Sequence, residues 1–134
     1  MSALLQKQTS FNAPSQNIIA GAETLMAYSG RVEVGFQTVR AIIKGFVQLT
    51  FPAGSTGIIL RLRRGAGITA VLVAGGNTEN ATPAPGKVGD YSIVFSEQLL
   101  GLEFVDYSLT VGIPGTGSNT NAFIASIEVE LLTS

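Results

Sequence analysis

Between Val39 and Arg64 apolar and polar residues alternate with a period of two, broken once in the middle. Val39, Ile43, Val47, Leu49 and Phe51 share one parity; Arg40, Lys44, Gln48 and Thr50 take the other, together with Ile42 and Phe46. After Pro52-Ala53-Gly54-Ser55-Thr56-Gly57, Ile58, Leu60 and Leu62 oppose Ile59, Arg61 and Arg63. Period two puts alternate side chains on opposite faces of a strand, so one face is predicted to be core and the other wetter and more basic. The segment therefore predicts two strands joined as a β-hairpin or as a corner between sheets. A strand from Val39 to Phe51 exceeds the usual length, and Gly45 is where it is expected to bend.

The same cadence recurs along the chain. Ile18 and Ile19 begin a short strand, Gly21 marks a bend, and Thr24 to Tyr28 continues in β-like fashion. Val32, Val34 and Phe36 share a face opposite Arg31, Glu33 and Gln37, with Gly35 inside as a bulge or a close backbone approach. Ile68 to Val73 is a short strand, and Gly75 to Gly89 reads as a long exposed loop that binds a partner or caps the fold. Tyr91, Ile93 and Phe95 form another row, followed by a crossing from Glu97 to Leu102. Val105, Tyr107, Leu109, Val111 and Ile113 alternate with Asp106, Ser108, Thr110 and Gly112 in the cleanest half-buried pattern. After a surface loop at Pro114 to Asn119, Phe123, Ala125, Ile127, Val129 and Leu131 form the last apolar row. About eight strands without a helix predict an all-β antiparallel sandwich of the jelly-roll kind, with a closed barrel as the alternative. Residues 1–16 are expected to be an N-terminal arm or loop, docking on a neighbour or disordered, and residues 17–134 a single sandwich domain.

Composition sharpens this picture. The chain has 134 residues, 46 % of them hydrophobic and only 13 % charged. Globular proteins carry roughly 25 % charged residues, so part of the surface is expected to be buried between subunits, where charge is depleted. The net charge of -1 leaves no basic arm for phosphate neutralisation, which argues against direct nucleic-acid binding. No Cys and no His means no disulfide, thiolate, Cys–His metal or imidazole chemistry. The first residues lack the apolar core and cleavage pattern of a signal peptide, and no apolar run approaches the roughly 20 residues of a membrane-spanning helix.

Candidate chemistry is sparse. Arg61, Arg63 and Arg64 form the dense charge feature. Guanidinium forks there could grip an anion such as phosphate or a sialylated glycan, or be neutralised by Glu33, Glu103, Glu128 or Glu130. Asp90, Glu97, Glu103 and Asp106 offer no preferred acid–base pair, so no catalysis is expected. Asn77, Glu79, Asn80 and Asp90 match no calcium loop of fixed spacing. The Gly54–Gly57 and Gly115–Ser118 stretches lack the lysine and helix of a phosphate loop and read as turns. Asn80-Ala81-Thr82 is a formal glycosylation acceptor without a secretion signal. Phe36, Phe51, Tyr91, Phe95 and Tyr107 fall on apolar parities and are expected in the core, while Tyr28 could stack on a sugar. No cofactor is expected. Ile42, Lys44, Phe46, Ile59, Arg61 and Arg63 are the candidate subunit-contact or anion-contact residues.

The segments GRVEVGFQTV, GIILRLRRG and GLEFVDYSLTVGIPGTGSNTNAFIASIEVELL resemble the strand cadence of small jelly-roll domains of the tumour-necrosis-factor and complement-C1q type, which also occur in phage and virus surface proteins. The resemblance spans roughly residues 18 to 132 and rests on cadence, without a diagnostic motif or a collagen-like stalk. It implies a homo-oligomer, with a trimer favoured, whose function rests on surfaces and loops. The expectation is a non-catalytic virion structural protein (small capsid, decoration or spike subunit) located in the virion and contacting other virion proteins. A carbohydrate-binding module for a surface glycan, with its ligand near Gly75–Gly89 or Pro114–Asn121, is the alternative.

Overall fold

The computed structural model describes residues 4–12, 16–54, 57–77, 86–113 and 118–133. These form eleven strands. One sheet runs in the order β1 (Leu4–Asn12), β11 (Thr120–Thr133), β5 (Val39–Thr50) and β8 (Val88–Leu99), with β2 (Gln16–Ile18) paired beside the start of β11. The second runs β3 (Glu23–Tyr28), β10 (Tyr107–Gly112), β6 (Ile59–Arg64) and β7 (Val71–Asn77). A small ribbon joins β4 (Val32–Glu33) to β9 (Phe104–Val105). All of these pairings are antiparallel. Apart from the ribbon, the chain changes sheet at most connections, the exceptions being β1 to β2 in the first sheet and the β6 to β7 hairpin in the second. That alternation is the wiring of a jelly-roll-like sandwich.

The core lies between the inner faces. Ala41, Ile43, Val47 and Leu49 of β5 and Ala125, Ile127, Val129 and Leu131 of β11 meet Met26, Leu60, Leu62, Leu109 and Val111 from the other sheet. Each fully buried Ile or Leu contributes about 1.5–3 kcal/mol relative to exposure, so the inward parity of these strands is what commits the chain to two layers. Gly45 interrupts neither of its ladders. It pairs in unbroken register with Ile127 on one side and Ile93 on the other. A Cβ there would stand 2.7 Å from Leu109 Cδ1 and 3.2 Å from Ile93 Cγ2, so the missing side chain is the space Leu109 fills. Gly45→Val is expected to cost about 1–3 kcal/mol by overpacking. Urea denaturation would measure this, and combining it with Leu109→Ala should give a loss smaller than the sum of the two.

Several expectations change. Residues 4–12, expected within an arm or loop, form β1 and pair along β11 from Leu132 to Ala125. Val39–Arg64 is a corner: β5 and β6 lie in different sheets. Glu97 to Leu99 completes β8, the strand after Gly67 begins at Val71, and β7 runs on to Asn77. Phe36 leaves the core, 66 % exposed. Gly35 and Phe36 both have positive φ, 67° and 63°, and the Gln37 N–H reaches the Val34 carbonyl at 3.4 Å. That is the φ pattern of a type I′ turn, which ends the row after Val34. Phe123 is also exposed, because the register with β5 shifts between Ala122 and Ile124 and turns Ala122 inward instead. Tyr91 and Phe95 are only partly buried. Conversely, β10 is buried on both faces rather than one, for a reason that lies on its outer side.

Candidate functional site: the outer faces of the two sheets

Outward residues of β5 meet outward residues of its neighbours. Lys44 lies opposite Glu128 and Val94, Ile42 opposite Glu130 and Ser96, and Phe46 opposite Ser126 and Ser92. Lys7 Nζ is 3.3 Å from Glu128, while Lys44 Nζ is 3.9 Å from Glu128 and 3.8 Å from Glu130. The Glu128 carboxyl is held below its ordinary pKa, first by a hydrogen bond with Glu130, then by Lys7 and Lys44, with burial opposing. Exposed pairs of this kind are worth about 0–1 kcal/mol each. Their charges compensate one another beside Ile42, Phe46, Val94 and Ile124.

Ile59, Arg61 and Arg63 point outward from β6, on the opposite side of the sandwich. The six sequence candidates therefore do not form one patch. Arg63 Nε and Nη2 each donate to Glu23 at 2.7 Å, Arg61 Nη1 donates to it at 3.3 Å, and Thr110 Oγ1 at 2.5 Å. Arg63 Nη1 also donates to the Ala70 carbonyl at 2.8 Å. The Arg63 fork holds the Glu23 carboxyl below the usual range, against a burial effect that would raise it. An ionised carboxylate saturated by donors is no general base, and here it roofs Thr110. The β6–β7 loop covers the next position: Ser108 Oγ donates to the Gly65 carbonyl at 2.6 Å and accepts from the Gly67 N–H at 3.0 Å. These two covers explain why β10 is buried on both sides.

Beside the network is a cavity of about 270 Å³ whose walls include Ala22, Ile59 and Gly112, with Glu23 and Arg61 at its polar side. Gly112 keeps it open, since a Cβ there would stand 3.2 Å from Arg61 Nη1. Of the anion-contact candidates, Arg61 borders this cavity, while Arg63 is engaged by Glu23 and Ala70.

A second polar cluster ties the sheets together. Arg64 of β6 donates through Nε to Glu97 of β8 at 3.2 Å and through Nη2 to the other carboxylate oxygen. Tyr107 donates its hydroxyl to Glu97 at 2.5 Å. Burial pushes the Tyr107 hydroxyl up to about 12, with Arg64 opposing, so it remains a donor throughout the neutral range.

Sequence reasoning missed both acceptors. Arg61 and Arg63 pair with Glu23, and Arg64 pairs with Glu97, in place of the Glu33, Glu103, Glu128 or Glu130 expected from the sequence. Tyr28, offered as a sugar platform, donates to Asp106 at 2.5 Å. Asp90 accepts from Gln48 at 3.0 Å. Glu79, Asn80 and the centres of the Gly75–Gly89 and Pro114–Asn119 loops lie outside the described residues. Among the described residues no group of three or more acidic side chains could hold a metal, and no helix is long and apolar enough to cross a membrane.

These observations define a jelly-roll-like β-sandwich without a catalytic or metal cluster among its described residues. No protein-family model matches the sequence, and no curated protein sequence matches it. The fold is similar to the structure of Eiger TNF from S. frugiperda, at 11 % identity, covering 92 % of this chain and 91 % of that one, with a TM-score of 0.51. It is similar also to the infectious bursal disease virus VP2 subviral particle, at 10 % identity and a TM-score of 0.51, covering 95 % of this chain and 36 % of that one. At these identities the likeness shows the fold alone.

Proposed function

We propose that this chain is a non-catalytic structural subunit of a virus particle, a small capsid, decoration or spike component, assembling as a homo-oligomer. The observation that carries the reading is the outer face of the five-stranded sheet. Ile42 and Phe46 lie there among Lys7, Lys44, Glu128 and Glu130, whose charges already compensate one another. The part of the face around these residues can be covered by another subunit without stranding an unpaired charge. The low overall charge and the fold it shares with a virus particle protein support the same reading. A trimer around a threefold axis is the favoured assembly, with other virion proteins as further partners and no direct contact with nucleic acid or membrane interior.

Light scattering coupled to size-exclusion chromatography tests this. An oligomer is expected at micromolar concentration, and Phe46→Lys should shift it toward monomer by at least tenfold in dissociation constant while the circular dichroism spectrum stays unchanged. A wild-type protein that remains monomeric at high micromolar concentration would overturn the reading. The cavity beside Arg61 favours a second reading, a glycan-binding module, for which saturable binding by the monomer on a glycan array would be the deciding result.

A further inference from the structure

We infer that the outer edge of β8, with which no described strand pairs, is a self-association site that pairs antiparallel with β8 of a second copy, centred on Val94. Sheet edges offer unpaired backbone groups to other strands, and proteins blunt them with bulges, lysine, proline or short length. Four of the edges here are blunted. β1 has a register shift between Leu4 and Gln6 and carries Lys7. β2 has 3 residues, the pairing of β3 shifts between Leu109 and Thr110, and that of β7 shifts between Leu62 and Arg63. β8 differs from all of them. It runs 12 residues, VGDYSIVFSEQL, without lysine, arginine or proline, and its register with β5 is unbroken from Leu99 to Val88. Among the described residues no strand pairs with its second edge. Its inward acid, Glu97, is neutralised by Arg64.

Apolar exposure gathers along the same side of the sandwich. Val94 is 61 % exposed, Val88 55 % and Val71 of neighbouring β7 66 %, and Tyr91, Ile93 and Phe95 are only partly covered. The occupant follows from the pattern of β8 itself. A twofold axis through Val94 sets Val94 against Val94, Ser92 against Ser96, Ile93 against Phe95 and Asp90 against Gln98. Valine meets valine, serine meets serine, and no acid faces another acid; such cross-strand pairs each contribute in an antiparallel sheet. A strand of another protein has no reason to match this palindrome. This contact rests on the oligomeric reading above and extends it, because an isologous edge contact separate from a threefold sheet-face contact would link closed rings into a larger shell.

The chain has no cysteine, so single thiols report the register cleanly. Val94→Cys should form a covalent dimer on mild oxidation, because directly opposed residues lie about 4.5–5.5 Å apart between Cα atoms. Ser92→Cys alone should not, its two copies being about 13 Å apart along the strand, beyond disulfide reach. Ser92→Cys mixed with Ser96→Cys should cross-link. In an unoxidised arm, Val94→Lys and Val94→Glu should each lose the contact and regain it when mixed. An oligomer that gives no link at position 94, or that links equally at 92 and 94, overturns the β8 contact and leaves the sheet-face assembly standing. A strict wild-type monomer overturns both.

Discussion

Ile127→Asp should abolish the fold or cost at least about 4 kcal/mol. Ile127 is fully buried on β11, the strand between β1 and β5, and it pairs with Ser10 on one side and Gly45 on the other. A carboxylate at that position would lose water without gaining a partner, since its surroundings are core side chains. Transfer of an unpaired ionised group into such a place is among the costliest single changes, and the removed Ile burial adds to it. Ile127→Val separates the two effects, because it keeps the site apolar and should cost about 0.5–1.5 kcal/mol. Thermal and urea unfolding of both variants give the comparison, and a near-neutral aspartate would mean that this row does not face the core.

Ile127 was legible because its strand keeps strict parity over Ala125, Ile127, Val129 and Leu131, all buried. The same logic fixed Leu60 and Leu62 and the inward row of β5. It failed wherever backbone geometry interrupts the period. Phe36 shares parity with Val34, yet two successive left-handed residues turn it outward. Phe123 shares parity with Ala125, yet one bulged position reverses it. β1 was missed for another reason. Lys7 and Thr9 are exposed, and edge pairing along β11 supplies the hydrogen bonds that make residues 4–12 a strand.

The outer faces were half legible. Parity put Ile42, Phe46, Arg61 and Arg63 together on the non-core side of their strands, and the structure turns all four outward, but from two different sheets. Parity could not say that these faces look in opposite directions, because that depends on which sheet each strand joins. Nor could it find Glu23. That residue stands 40 positions from Arg63 in sequence and is brought near only because β10 lies between β3 and β6. Glu97 was hidden likewise, read as part of a crossing when it belongs to a strand whose partner across the layer is Arg64.

Glu23→Ala is therefore expected to be the most damaging change on the outside of the molecule, at about 3–5 kcal/mol. The Glu23 and Arg63 side chains are only 17 % and 14 % exposed, and removing one partner of a largely buried ion pair leaves the other charge uncompensated. Thr110 loses its acceptor in the same step. Glu23→Gln should be milder, since the amide oxygen still accepts from Arg63. The pH dependence carries the sign of a depressed carboxylate. Glu23 titrates lower in the folded chain than its ordinary value of 4.5. Its contribution is fully present above that value and is lost as the pH falls from there through the depressed folded pKa, where the unfolded chain binds more protons than the native one. Glu128 acts with the same sign but nearer the surface. The gap in urea stability between wild type and Glu23→Gln should thus be constant from pH 8 to pH 6 and shrink below 4.5. A gap that stays constant down to pH 3 would mean that Glu23 acts by shape and packing, and that its charge does not hold Arg61 and Arg63 over β10.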